Sequence, residues 1–279
     1  MEKEIAGLSL EKIATSGQCF RWQQLAENSY RIPHAGSCLY IRMEEPGRFS
    51  MSCTEAEFET IWRAYFDLDT DYESINHRVN PERDPFLHEA MRNQHGVRIL
   101  RQDMWEMVIT SIITQNRNIP AIRKSVELLS CYGGDKKHDH TGREFYAFPS
   151  PAQLVAMSDT DFSKCKLGYR ERYIRETAEA IYTGWMNLEQ LEVLPDQDCM
   201  KRLTELCGVG EKVAACIMLF GMHRLNAFPR DVWILRVLEE KYPEGFPFEQ
   251  YKPYNGVFQQ YLFAYYRNLS TKAQREGNH

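Results

Sequence analysis

Hydrophobic and polar positions divide the chain into an alternating first third and a helical remainder. Leu39, Ile41 and Met43 alternate with Tyr40 and Arg42, a strand period. After the turn signal Pro46-Gly47, Phe49, Met51 and Cys53 alternate again, so an antiparallel hairpin is predicted. Thr54 and Glu57 have capping-box spacing, and Phe58, Ile61, Trp62 and Tyr65 follow at helical spacing. From about residue 86 the signals are nearly all helical. Asp103 and Glu106 predict a second capping box, ahead of Val108, Ile109, Ile112 and Ile113. Ser150-Pro151 opens a further helix with proline at its favoured first position, and Tyr173, Ile174 and Ile181 stripe the next. Leu203 and Leu206 close a helix that stops at Gly208. Residues 213–220 are apolar all round, which predicts a buried helix, and residues 250–267 form a last one. The expected fold class is α+β. A small part with an antiparallel sheet spans residues 1–85, and a mainly helical region spans 86–279, with a helix-hairpin-helix at about 198–221.

Composition narrows the class. At 43% hydrophobic and 26% charged, the chain can bury a sizeable core, which excludes disorder over most of its length. No apolar run approaches the ~20 residues of a membrane span. The start, Met1-Glu2-Lys3-Glu4, lacks the pattern of a secretory signal. The eight cysteines form no Cys-x-x-Cys pair and fit no zinc or iron–sulfur template. Reduced thiols, an intracellular location (cytoplasm or nucleoid in a bacterium, nucleus in a eukaryote) and no metal or other cofactor are therefore expected.

The segment Leu206-Cys207-Gly208-Val209-Gly210-Glu211-Lys212 joins two helices by a very short link. Gly208 and Gly210 permit backbone angles that other residues resist, and close approach of a ligand. The second helix starts near Glu211, where free N–H groups and the positive dipole end suit a phosphate. An ordinary tight turn explains Gly-x-Gly equally well. Lys212 stands at that positive helix end and abuts an apolar run, two effects that favour a neutral, nucleophilic amine. The alternative is a surface lysine. Cys216 is one turn further on the same face, and by itself reads as a small buried hydrophobe. Nineteen residues after Lys212, Asp231 follows Phe228-Pro229-Arg230 at a helix start. An N-cap role accounts for it, and a capping carboxylate can also face a site. Near Lys212 it would raise the lysine pKa, opposing the helix effect.

Together these residues resemble the helix-hairpin-helix, Gly/Pro-rich loop and aspartate motif of DNA base-excision glycosylases. A lysine at the Lys212 position marks that superfamily's bifunctional members. Ser16-Gly17-Gln18-Cys19-Phe20-Arg21-Trp22, the segment from His95 to Asp103, Asn116-Arg117-Asn118-Ile119 and Leu167-Gly168-Tyr169-Arg170 further resemble 8-oxoguanine DNA glycosylases. The similar segments run in the family's order from residue 16 to 263. The resemblance implies a glycosylase/lyase acting on duplex DNA that contains 8-oxoguanine. Lys212 would be the nucleophile, and Asp231 would stabilise charge on the sugar. The Gly17 carbonyl would read the N7 hydrogen that oxidation adds, Cys216 and Phe263 would sandwich the base, and Gln259 would read its Watson–Crick edge. Asn116, Arg117, Tyr169 and Arg170 would meet DNA around the partner base, and Gly208, Val209 and Gly210 its backbone. A monomer is expected, with no membrane partner.

Four positions depart from the family pattern, the first being Arg117, which interrupts the family's usual asparagine triplet as Asn116-Arg117-Asn118. Ala121 stands where an arginine commonly helps to read cytosine, so weaker cytosine discrimination is expected. Trp233 replaces a common histidine, and Cys207 a common hairpin proline. Three readings remain beside the first: the same scaffold acting on another damaged base, a non-catalytic DNA-binding helix-hairpin-helix protein, and an unrelated cytosolic small-molecule enzyme, which would show no salt-sensitive duplex binding. The formal charge of −5 argues mildly against nucleic acid, which usually draws basic proteins. Whole-chain charge averages unlike faces, however. Lys164, Lys166, Arg170 and Arg172 cluster, as do Arg117, Arg123 and Lys124, whereas acidic residues concentrate at 55–59 and 67–73.

Overall fold

The computed structural model describes residues 1–276. Five antiparallel strands, β1 (Glu2–Glu4), β2 (Gln23–Ala26), β3 (Ser29–His34), β4 (Ser37–Glu45) and β5 (Arg48–Met51), lie in the order β1-β5-β4-β3-β2. The predicted hairpin is β4–β5, with Ile41 opposite Met51 and Met43 opposite Phe49. Its turn uses Gly47 at φ 82°, a conformation that suits glycine. The other three strands escape the hydrophobic pattern. β1 is three residues of Glu-Lys-Glu, and β3 carries Pro33, which cannot donate to a ladder. A second short ribbon, β6 (Lys136–His138) with β7 (Glu144–Tyr146), interrupts the region expected to be helical. Its strands are three residues each, too short to show a period.

Two hydrophobic cores form. One holds Leu10, Ile13, Trp22, Ile32, Leu39, Phe49, Trp62 and Phe66; the other holds Ile109, Ile112, Leu129, Phe162, Ile174, Ile217, Leu219, Phe258 and Leu262. Burying each such side chain contributes roughly 1.5–3 kcal/mol, so both cores are substantial. Phe20 sits in the helical core and Leu100 in the sheet core, so the two parts interlock. Gln18 reinforces the crossing: its Nε2 donates to Arg98 O (2.9 Å) and its Oε1 accepts from Leu100 N (2.9 Å). Gln260 Nε2 then donates to Ser16 O at 2.7 Å. These bonds press the loop at residues 16–17 against the last helix, which is what closes the site described below.

Local signals hold unevenly. Thr54 with Glu57 forms the full capping box. At Asp103 only half of the expected box forms: Oδ1 accepts from Glu106 N at 2.7 Å. The Glu106 carboxylate turns inward instead, 3.6 Å from Arg21 Nη1, and burial pushes its pKa up to about 7. The helix before the hairpin is Asp196–Leu203, and Leu206 lies in the following turn. The buried helix is Glu211–Cys216 continued by a π-helical segment, Ile217–Gly221. The last helix starts later than expected and runs further, over Asn255–Glu276. All eight cysteines are unpaired. Among the described residues no helix is long and apolar enough to cross a membrane.

Candidate active site

A cavity of ≈ 460 Å³ is lined by Gly17, Lys212, Cys216, Asp231, Gln259 and Phe263, with Arg117 and Arg267 among its other walls. Every candidate catalytic and base-binding residue therefore opens on one space, although Gly17 and Phe263 are separated by most of the chain.

Local rules place each of them. Gly208 adopts φ +75°, and a Cβ there would lie 2.3 Å from Tyr173 Cδ2, so no larger residue fits the turn. Its carbonyl accepts from Gln115 Nε2 at 3.0 Å. Gly210 caps the second hairpin helix in extended backbone, with open space where its Cβ would be. Val209 between them is buried. Lys212 follows in the first helical turn, and Cys216 lies one turn on. Burial pushes the Cys216 thiol up, and the Lys212 ammonium pulls it back down.

Asp231 does cap its helix: Oδ1 accepts from Trp233 N (3.1 Å) and Ile234 N (2.9 Å). The carboxyl nonetheless titrates above its ordinary value because it is buried, against the opposing pull of Ile234 N–H, Lys212, Trp233 N–H and Arg267. Capping and facing the cavity thus coexist. Gln259 is buried, and its Nε2 donates to Pro229 O at 3.0 Å. Its Oε1 has no hydrogen-bond partner within the described residues. A buried acceptor left unpaired costs about 1–3 kcal/mol, which marks this atom as waiting for a donor. Gly17 has φ +83°, and a Cβ there would be 3.1 Å from Phe263 Cε1.

Comparison with known proteins bears on this arrangement. Residues 1–108 match the 8-oxoguanine DNA glycosylase N-terminal domain. The "Probable N-glycosylase/DNA lyase" of Methanothermobacter thermautotrophicus is 31% identical over 207 residues, 67% of this chain and 64% of that one. The chain thus spans just under two thirds of that curated relative. The structure of MBOgg1 with a low-affinity DNA ligand superposes with a TM-score of 0.89 at 33% identity, covering 96% of each chain. The Clostridium acetobutylicum 8-oxoguanine glycosylase/lyase, solved with double-stranded DNA containing cytosine opposite 8-oxoguanine, gives 0.87 at 32%, covering 97% of this chain and 98% of that one. The chain belongs to the 8-oxoguanine DNA glycosylase family.

The residues expected to meet DNA outside the cavity are bonded within the protein. Asn116 holds φ +50° and its Nδ2 donates to Tyr169 OH at 3.2 Å. Tyr169 is 51% exposed. Arg117 donates from Nη1 to Ser125 Oγ (2.6 Å) and from Nη2 to Lys166 O. Arg170 is only 5% exposed. Its Nε donates to Gln115 O at 2.8 Å and its Nη1 to Leu167 O at 3.2 Å, and Nη2 lies on the carbonyls of Gln115 and Asn116. Neither Tyr169 nor Arg170 nor Asn116 lines the cavity. Ala121 contributes a backbone N–H to Asn118 Oδ1 (2.9 Å) and a side chain of one methyl group. Trp233 lines the cavity and packs its ring 6.3 Å from that of Tyr266.

Gln260 and Arg267 also line the cavity, and the sequence pattern does not single them out. Gln260 carries no signal, being one polar residue on a mostly apolar helix. Arg267 has one: Gln259, Phe263 and Arg267 recur every fourth residue and so share a helical face.

Proposed function

We propose that the chain is a bifunctional DNA glycosylase and abasic-site lyase that removes 8-oxoguanine from duplex DNA. The observation that carries this reading is the convergence of Lys212, Asp231, Gly17, Cys216, Gln259 and Phe263 on one cavity. All six come from a single chain, which supports action as a monomer. The backbone N–H groups after Gly208 and Gly210 take DNA phosphate, aided by the helix dipole. Flipping the damaged nucleotide out of the stack costs a few kcal/mol. Cys216 and Phe263 then hold the two faces of the base.

Specificity follows from hydrogen-bond polarity. Guanine N7 is an acceptor, whereas in 8-oxoguanine it carries a hydrogen. A carbonyl at Gly17 accepts from that hydrogen and repels the lone pair of normal guanine. Gln259 Oε1 accepts from a donor on the Watson–Crick edge, its Nε2 being held by Pro229 O. The neutral amine of Lys212 attacks C1′, and the C1′–N9 bond breaks with its electron pair leaving on the base. Asp231 stabilises the positive charge that develops on the sugar, and the proton shed by the new ammonium goes to the departing base. Nitrogen then donates its pair to open the C1′–O4′ bond, O4′ takes a proton from water, and a protonated Schiff base results. Loss of a C2′ proton expels the 3′ phosphate and nicks the strand.

Discrimination for cytosine is relaxed. Ala121 has no reach, and Arg170 is committed to backbone carbonyls. A panel of duplexes carrying different lesions, with borohydride added, tests the function. Nicking and crosslinking at 8-oxoguanine are expected. Excision of a different lesion alone would mean another substrate on the same scaffold, and binding without any crosslink would leave only a DNA-binding protein.

A further inference from the structure

The loop at residues 115–117 is braced at both ends. At one end Gln115 Nε2 donates to Gly208 O in the hairpin at 3.0 Å. At the other, Arg117 donates to Ser125 Oγ and Lys166 O, and Ser125 Oγ donates to Lys166 O at 3.3 Å. Lys124 precedes Ser125 on the helix Ile119–Gly133 and is thereby brought beside Lys166, which holds a left-handed φ of 55°. Both lysines are exposed.

The charges at this place are all of one sign. The Lys124 ammonium stands close enough to the Lys166 ammonium to hold its pKa below the ordinary lysine value. Lys164, two residues away, pairs with Asp161 at 2.8 Å, but neither Lys124 nor Lys166 has an ion pair among the described residues. Arg117 and Arg170 stand next to them, bonded to carbonyls and a hydroxyl, which are not counter-charges. Like charges side by side repel, and an anion between them removes that cost.

The braces say which anion. Lys212 follows the hairpin and faces the sugar of the flipped nucleotide, so the hairpin end of the loop meets the damaged strand. Asn116, between the two braces, is expected at the partner base. The lysine pair beyond it lies toward the other strand. Resting on the glycosylase reading, we propose that Lys124 and Lys166 clamp one phosphate of the strand opposite the lesion. A phosphate contact positions a duplex without reading its sequence. The clamp therefore holds the partner strand whichever base it carries, in a chain whose Arg170 is committed to backbone carbonyls.

Binding across a salt series tests this, on a duplex that holds a tetrahydrofuran analogue of the abasic site and cannot be cleaved. Lys124→Gln/Lys166→Gln should bind about 10-fold more weakly at about 0.1 M salt, with a log–log salt slope shallower by about 1. The loss should be equal with cytosine or adenine opposite. Lys124→Arg/Lys166→Arg, which keeps both charges, should bind like the wild type. Replacing one phosphate at a time by a neutral methylphosphonate identifies the strand. One partner-strand replacement should weaken the wild type by the same factor and the Gln variant no further. An unchanged salt slope in the Gln variant, an equal loss in the Arg variant, or a matching phosphate found only in the damaged strand overturns the clamp. The Gln variant loses a repulsion and should melt no lower than the wild type. Weaker binding accompanied by a lower melting temperature would mean that the lysines only hold the loop, and overturns the clamp as well. Wild-type protein with no salt-dependent binding to this duplex overturns the functional reading and the clamp with it.

Discussion

In the cavity, Gln259 Oε1 has no partner within the described residues, and Gly17 already holds a left-handed backbone beside Phe263. At the partner-base loop the polar groups of Asn116, Arg117 and Arg170 are bonded to the protein itself. The first region is built to receive a ligand without rearrangement. The second must exchange bonds it already has. A hydrogen bond involving a charged group contributes about 1.5–3 kcal/mol, and a bidentate base contact discriminates by about 1–3 kcal/mol. Trading the carbonyls of Gln115 and Leu167 for a cytosine edge therefore leaves Arg170 little net selectivity. The proposed strict reading of the lesion and loose reading of its partner would both follow from one physical difference, preorganisation.

The strongest way to break the lesion side is at its nucleophile. Lys212→Gln should lower base release by about 1000-fold or more and abolish borohydride trapping, measured in single turnover. Asp231→Asn should cost on the order of 100-fold in base release, because charge on the sugar loses its partner. It should also raise the melting temperature at pH 7. The folded carboxyl binds its proton more tightly than the unfolded one, so stability falls as pH rises from the ordinary carboxylate value through the raised value. Asparagine removes that penalty and still caps the helix. The temperature gain should vanish below the ordinary carboxylate range. Wild-type base release should fall as pH drops through the raised value.

Gly17→Ala comes next. A Cβ at φ +83° is strained and meets Phe263 at 3.1 Å, so base release should drop by roughly 30-fold with duplex binding little changed. On the partner-base side the effects should be smaller. Arg170→Ala releases the 115–116 loop, and base release should fall about 10-fold opposite every partner base, with the cytosine-to-adenine ratio moving less than about 3-fold. A selective collapse opposite cytosine would instead identify Arg170 as the reader. Wild type should prefer cytosine over adenine by less than about 100-fold, and Ala121→Arg should raise that preference several-fold. A wild-type preference of several hundred-fold would contradict the comparison.

The same contrast separates what was legible in the sequence from what was not. Lys212, the hairpin glycines and Asp231 sit in compact motifs whose local geometry is nearly dictated by residue type. The β4–β5 hairpin and the Thr54 box are likewise set by short-range pattern. Glu106 was misread because capping spacing says nothing of Arg21, a residue distant in the chain that draws its carboxylate inward. For Arg170 the resemblance implies only a meeting with DNA, and the carbonyls of Gln115 and Leu167 that it serves are not visible in the sequence. The closing of Gly17 onto Phe263 depends on Gln18 and Gln260, whose bonds span 80 and 244 residues of sequence. No local pattern contains that information. Arg267 lay between the two cases: its spacing was visible, but its place at the cavity wall was not.

The most direct test is the position of the covalent adduct. Wild-type protein reduced with borohydride on an 8-oxoguanine duplex should, after nuclease and protease digestion, carry the sugar remnant on the peptide containing Lys212, at that side chain, as read by mass spectrometry. Released 8-oxoguanine with the adduct on any other residue, or with no adduct at all, would contradict the account.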